Sequence, residues 1–214
     1  EVFKPTVSEL ESNNEFIRNL ETGDELNKGA VISTNDTAFS NIYLPDGSVV
    51  RIDSETNITL EEGFFDPESE KTIVRLKLSA GRAWFKVFEL ATTDSVWEVE
   101  TANTVATVRG TAFGIEYEEG KWSVIGSEGE VAVAVIDPET REVIKESEVS
   151  ILRDKFVEIR DKEIEEIKGD VRKLELAVRD VSQETLQKDW VKRSIEADMK
   201  IDEQKRILDA TGIN

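Results

Sequence analysis

An arginine among glycines is the clearest candidate for anion chemistry in this chain. It lies in VATVRGTAFGI, Val105 to Ile115, where Arg109, Gly110 and Gly114 interrupt an apolar run. A phosphate-holding glycine loop needs backbone N–H groups, a lysine for the outer phosphates and a helix that follows. GTAFG is accompanied by neither that lysine nor a helix, which argues against a phosphate loop. Taken as one strand of period two, the stretch places Ala106, Val108, Gly110, Ala112 and Gly114 on a small face. Thr107, Arg109, Thr111, Phe113 and Ile115 share the other, larger face with Val105 and Tyr117. The small face lets another sheet approach closely, and the large face supplies core. Arg109 then reads as an internal clamp on a carboxylate or on backbone carbonyls, in preference to a ligand contact.

Other chemistries are narrowed by what the sequence lacks. Histidine and cysteine are both absent, which removes imidazole bases, thiolate nucleophiles, imidazole or thiolate metal ligands and every disulfide. With 46 acidic residues, carboxylate pairs occur at every separation by chance, so spacing identifies no glycosidase pair. Asp53-Ser54-Glu55 and Asp66-Pro67-Glu68 miss the spacing of a calcium loop and read as solvated turns. No cofactor is expected; loose calcium binding across such turns is the one weak exception. Trp84, Trp97 and Trp122 sit in β-like stretches and read as core rather than as a sugar-stacking platform. Asn35 and Asn57 match the glycosylation sequon, a meaningful match only in an exported chain.

The charge balance narrows the partners. Against 46 acids stand 27 bases, a net charge of -19 over 214 residues. Such a field repels nucleic acid and anionic headgroups and favours solubility. No apolar run reaches the length of a membrane span. A folded chain of this size buries roughly 70% of its unfolded surface, so it needs no metal or disulfide to fold.

The elements that must carry these residues read as mainly β. Residues 1–15, with Pro5 and scattered apolar positions, form an extended N-terminal arm, in which Phe3 and Val7 are candidate interaction residues. Residues 16–160 form one all-β domain. Within it IYLPDGSVVRI, LKLSAGRAWFKV and VIGSEGEVAVAV each run into a short turn, at Gly47, Gly81 and Gly129, and resume with alternating apolar residues, the mark of three hairpins. SILRDKFVEI, with Asp154-Lys155 at the turn, reads as a degenerate fourth. The expected architecture is an antiparallel β-sandwich or a short, irregular solenoid-like stack of hairpins, followed by a C-terminal α-helix. Residues 161–181 read as a connecting segment and 182–210 as an amphipathic helix capped by Asp180 or Ser182. Its narrow stripe of Leu186, Trp190, Ser194, Ala197, Ile201 and Leu208 suits packing on the β body, or else a partner groove or coiled-coil seam. Trp190, Ile201 and Leu208 are its candidate interaction residues.

The order of these features resembles the FecR domain. GDELNKGAVIST, AFSNIYLPDGSVVRIDSETNITL, VRLKLSAGRAWFKV, WEVETANTVATVRGTAFGIEY and SVIGSEGEVAV follow one another as that family's "dGS" hairpin, "L-x-x-G-x-v" hairpin, "v-x-G-T-x-F" strand and "eG-x-V" hairpin do. The likeness covers about residues 21–159. Its motif positions here are Gly47, Gly81, Arg109, Gly110, Thr111, Phe113 and Gly129. Thr101-Ala102-Asn103 departs from the family's frequent Thr-Pro, which affects a turn and not the topology. The resemblance implies an extracytoplasmic β domain, at the cell surface, in the periplasm or secreted, that binds a protein or cell-envelope component in signalling or scaffolding. It implies no enzyme. Two other expectations compete with it. One is a structural subunit of a surface layer or filament that self-assembles through its N-terminal arm. The other is a carbohydrate-binding β domain.

Overall fold

The protein is described from a computed structural model, which covers residues 7–11, 13 and 15–211, with side chains to residue 208. The chain divides into one compact unit ending at Asp180 and a second beginning at Val181. The first unit opens with β1 (Val7–Leu10), β2 (Phe16–Asn19), β3 (Val31–Thr34), β4 (Ser40–Tyr43) and β5 (Val49–Ile52). Then come β6 (Asn57–Asp66), β7 (Lys71–Val87), β8 (Val96–Glu100), β9 (Thr104–Val108) and β10 (Thr111–Glu118). It continues with β11 (Lys121–Glu128), β12 (Glu130–Ile136), β13 (Val143–Leu152) and β14 (Lys155–Arg160), and closes with α1 (Ile164–Gly169), α2 (Arg172–Ala177) and the short β15 (Arg179–Asp180).

The strands form two sheets that share β7. Sheet I runs β2-β1-β3-β6-β7-β8-β9-β12-β13. Sheet II runs β4-β5-β7-β10-β11-β14-β15. Every pair is antiparallel except β7 with β8. The mainly antiparallel β architecture is as expected, but the hairpins are not. Of the four expected turns only that at Gly47 joins paired strands, β4 and β5. Gly81 lies inside the 17-residue β7, whose first half pairs with β6 and β8 and whose second half pairs with β5 and β10. Gly129 separates β11 of sheet II from β12 of sheet I, and Asp154 separates β13 of sheet I from β14 of sheet II. Three of the four turns are therefore corners between sheets.

β7 records this change of sheet in its own residues. Val74, Leu76 and Leu78 face the core before Gly81, and Ala83, Phe85 and Val87 after it, so the inward positions change from even to odd. A strand of strict period two cannot do this without a local bend. Gly81 supplies the bend with φ +88, and a Cβ there would lie 2.5 Å from the Glu55 carbonyl oxygen. The core between the sheets gathers Trp97, Val99, Ala106, Val131 and Val133 from sheet I, and Phe85, Phe113, Ile115, Trp122 and Val124 from sheet II. Phe85 stacks on Phe113 at 4.8 Å and meets Trp97 edge-on at 5.8 Å. Aromatic pairs of this kind add about 0.5–1.5 kcal/mol to the burial itself.

VATVRGTAFGI is likewise not one strand. β9 ends at Val108 in sheet I and β10 begins at Thr111 in sheet II, with Arg109-Gly110 as the joint. The reading of Arg109 as an internal clamp is therefore corrected: at a corner its side chain is exposed, and its guanidinium donates to the Thr93 carbonyl at 3.2 Å.

Two domain boundaries also move. β1 lies inside the expected arm, yet it pairs with β2 on one side and β3 on the other, so residues 7–10 belong to sheet I. Self-assembly through that part of the arm loses its basis, because both edges of the strand are already taken within the chain. The expected connecting segment contains α1 and α2, whose Ile164, Ile167 and Leu174 complete the core. Asp161, just before α1, accepts from the Asn103 amide at 2.9 Å and from the Tyr117 hydroxyl at 3.0 Å. Lys168 of α1 bonds Asp137 in the β12–β13 connection at 3.1 Å. These contacts fix the segment to the sheets.

The second unit holds α3 (Gln183–Leu186) and α4 (Asp189–Thr211). Ser182 caps α3, its hydroxyl accepting from the Thr185 N–H at 3.0 Å. The expected single helix is thus broken at Gln187-Lys188. On α4, Trp190, Val191, Ser194 and Asp198 are buried, whereas Ile201 is half-buried and Leu208 is exposed. Among the described residues no helix is long and apolar enough to cross a membrane.

Candidate functional site

The motif residues converge, but they do so to build corners. Gly110 has φ +132, and a Cβ on it would lie 2.7 Å from Cα of Glu89. Any side chain there would strike backbone, so the joint from sheet I to sheet II requires glycine. The return corner at Gly129 packs directly beside it, where the Thr111 hydroxyl donates to the Glu128 carbonyl. The Leu90 N–H donates to the Arg109 carbonyl at 3.1 Å, and the Arg153 guanidinium to the Ser127 carbonyl at 3.1 Å. Gly47 extends the same seam, lying against the ring of Phe88, the residue before Glu89. Gly81 stands apart at its own bend, and Phe113 lies in the core. Geometry and packing account for these residues without a ligand.

The other candidates from the sequence resolve in the same direction. Trp84, Trp97 and Trp122 are all at 0% exposure, which overturns a sugar-stacking platform built from them. The Asp53 carboxylate faces the Arg82 guanidinium at 3.1 Å, and Glu116 and Glu118 approach Arg82 at 3.9 and 3.8 Å. Asp66 accepts from the Ser69 hydroxyl and, with smaller effect, from the Glu68 N–H, which hold its carboxyl below the usual range. Among the described residues no three carboxylates come together as a metal cluster. Asn35 lies in an exposed turn, and Asn57 lies within the ladder of β6. Of the candidate interaction residues, Phe3 lies outside the described residues. Val7 is 1% exposed and belongs to the core, so it is no surface contact. Trp190, Ile201 and Leu208 all fall on α4, graded from buried to exposed.

A feature that sequence reasoning passed over is a cleft of about 470 Å³ on the open side of the two sheets, where the edge strand β4 faces β3 and β6. Its apolar lining includes Leu26, Ile32, Ile42 and Leu60. Its acidic lining is Glu21, Asp24 and Glu25, all exposed. Arg18 of β2 fixes this acidic loop, bridging Glu9 of β1 at 2.8 Å and Asp24 at 2.7 Å. Asp24 also accepts from the Glu21 N–H at 2.8 Å. That hydrogen bond first, and Arg18 next, hold the Asp24 carboxyl below its ordinary range. Tyr43 lines the cleft and is 58% exposed as a residue. Gly63 lines it from β6, and a Cβ there would meet only the Leu60 side chain, at an ordinary 3.5 Å. The arrangement can take an apolar group and hold a positive charge beside it. No signal in one segment marks it, since the loop, β4 and β6 are separated in sequence; a glycine in the middle of β6 is the only local hint.

Comparison with known proteins finds two kinds of likeness. Two crystal structures of a proposed anti-sigma factor from Parabacteroides distasonis are similar to the chain at 22% identity, with TM-scores of 0.48 and 0.47. The likeness covers 61% of this chain and 55% of that one, so the chain spans about half the length of the protein it matches. No curated protein sequence matches the chain. The sequence model of the family described as FecR protein matches residues 30–132, a span holding Gly47, Gly81, Gly110 and Gly129. Residues 30–132 of this chain thus match the FecR domain that the order of its motifs resembles.

Proposed function

We propose that this chain is a non-enzymatic, extracytoplasmic FecR-like module that binds a protein or cell-envelope component in signalling or scaffolding. The observation that carries the reading is the FecR match over residues 30–132, a family of signalling regulators. The motif residues of that match are used in corners and core, so partner recognition falls to surfaces outside the motif. The net charge of -19 favours basic or neutral partners over nucleic acid.

The test is photo-crosslinking with the full chain in an envelope fraction of its source. A benzophenone side chain replaces Tyr43 in one preparation and exposed Leu176 in another. A discrete protein adduct from at least one position, competed away by unlabelled chain, is the expected result. Absence of any competable adduct from either position counts against the reading. Fractionation of cells with an antibody to the chain tests the location: recovery with the cytoplasmic markers overturns it.

A further inference from the structure

We propose that the cleft between β4 and β3/β6 docks an extended segment of a partner polypeptide in which a large apolar side chain is flanked by basic residues. The inference rests on the protein-binding reading above and assigns that reading a site and a ligand chemistry.

Three observations carry it. The volume, about 470 Å³, falls within the range of ligand pockets, and the lining of Leu26, Ile32, Ile42 and Leu60 is apolar. It accommodates a large side chain with its adjoining backbone but not a folded domain. The second observation is electrostatic. Glu21, Asp24 and Glu25 stand together on one side, and the loop that carries them is held in place by Arg18, so the negative field is fixed before any partner arrives. That field, added to the net charge of -19, disfavours acyl chains with anionic heads and a second copy of this chain, and attracts Lys or Arg. The third is Tyr43, an exposed ring at the cleft, of a residue type that dominates binding energy in interfaces.

Gly63 explains why the cleft stays open. It lies in β6 opposite Val74, whose side chain faces the core. Any residue with a side chain at that position would project toward the cleft, and the 3.5 Å contact of its Cβ shows that the backbone tolerates one. β-Branched residues favour strands, so filling the position is not expected to cost stability.

The experiment uses the full chain labelled with ¹⁵N and three synthetic peptides. One alternates Lys with Val and Phe, the second carries Glu in place of Lys, and the third carries Ser in place of Val and Phe. The Lys peptide with apolar residues is expected to shift the amides of Leu26, Ile42 and Gly63 in a saturable, salt-sensitive manner, while the other two leave them in place. Gly63→Ile, checked to melt no lower than the parent, is expected to weaken binding at least about tenfold. Leu26→Lys, which places a cation in the cleft, is expected to do the same and stands in if Gly63→Ile does not fold. Glu21→Gln with Glu25→Gln is expected to weaken it by only a few-fold, about the scale of rim charges. Equal binding of the Ser peptide, shifts confined to other surfaces, or unchanged affinity in both cleft variants overturns the proposal. So does decanoate shifting the same amides, which assigns the cleft to an acyl chain. Concentration-dependent self-association lost in Gly63→Ile overturns it too, in favour of a second copy. A competable envelope adduct that persists in Gly63→Ile leaves the protein-binding module standing and removes only the cleft.

Discussion

A Cβ placed on Gly129 would lie 2.8 Å from the carbonyl oxygen of Gly110. The two glycines are 19 positions apart and belong to corners running in opposite directions between the sheets, so each limits the room of the other. Gly129→Ala is expected to cost about 1–3 kcal/mol, from a positive φ together with a backbone clash. Gly110→Ala is expected to cost at least as much. Gly23→Ala is the control, since Gly23 has φ +101 but nothing within 4 Å of its Cβ; it is expected to lose only the conformational part, about 1 kcal/mol. Urea denaturation of the three variants checks the ranking.

Arg109→Ala is expected to change stability by no more than about 0.5–1 kcal/mol, because the exposed side chain makes one hydrogen bond to a carbonyl. A loss of several kcal/mol in the same denaturation series contradicts this.

Burial, and then the hydrogen bond to the Asp161 carboxylate, push the Tyr117 phenol up to about 12 from an ordinary 10.0. A folded-state value above the unfolded one means that the contribution is complete below pH 10 and is lost as pH rises through about 12. Subtracting the absorbance titration of Tyr117→Phe from that of the parent is expected to show one ionisation in that range. The variant is also expected to lose stability less steeply over the same interval. A difference step centred at 10 or below contradicts the contact.

Asp24 works in the opposite direction. Its carboxyl is held below the ordinary 3.8 by the Glu21 N–H and by Arg18. Its hold on the acidic loop is therefore complete above that pH and is released as pH falls through the folded value. The amide shift of Glu21 is expected to change in that acid range in the parent and to stay flat in Asp24→Ala. A pH-independent Glu21 amide in the parent contradicts it.

What the residues reveal about the fold depends on which interaction sets each feature. Local chemistry was legible. Ser182 caps a helix start as a serine at that place should, and alternating apolar residues mark where β structure lies, though they run β9 into β10 and divide β7 at Gly81. Corners were not distinguished from hairpins, because both need positive φ at a short polar turn and so recruit the same residues. At Gly129 the difference lies in the neighbours of β11 and β12: the former joins β10 and β14, the latter β9 and β13. Those pairings are long-range and leave no mark at the turn. α1 and α2 fall in the stretch expected to be a connecting segment, although its apolar residues do carry helical spacing. Ile164, Ile167, Val171, Leu174 and Val178 recur at three- and four-residue steps, a stripe that runs across the break at Asp170 between the two helices. The cleft was less legible still, being a property of where sheet II ends relative to sheet I.

β7 gives the molecule a single keystone. Its 17 residues supply hydrogen-bonding edges to β6 and β8 in one sheet and to β5 and β10 in the other. Neither sheet can assemble fully around a partner that the other has not also engaged, which couples their melting into one event. Trp97 reports on sheet I and Trp122 on sheet II, and variants in which one or the other is the sole tryptophan, with Trp84 and Trp190 also replaced, are expected to give coincident urea transitions. Two separated transitions would mean that the strand can be peeled from one sheet at a time. As a shared member, β7 makes two layers of strands fail together or not at all.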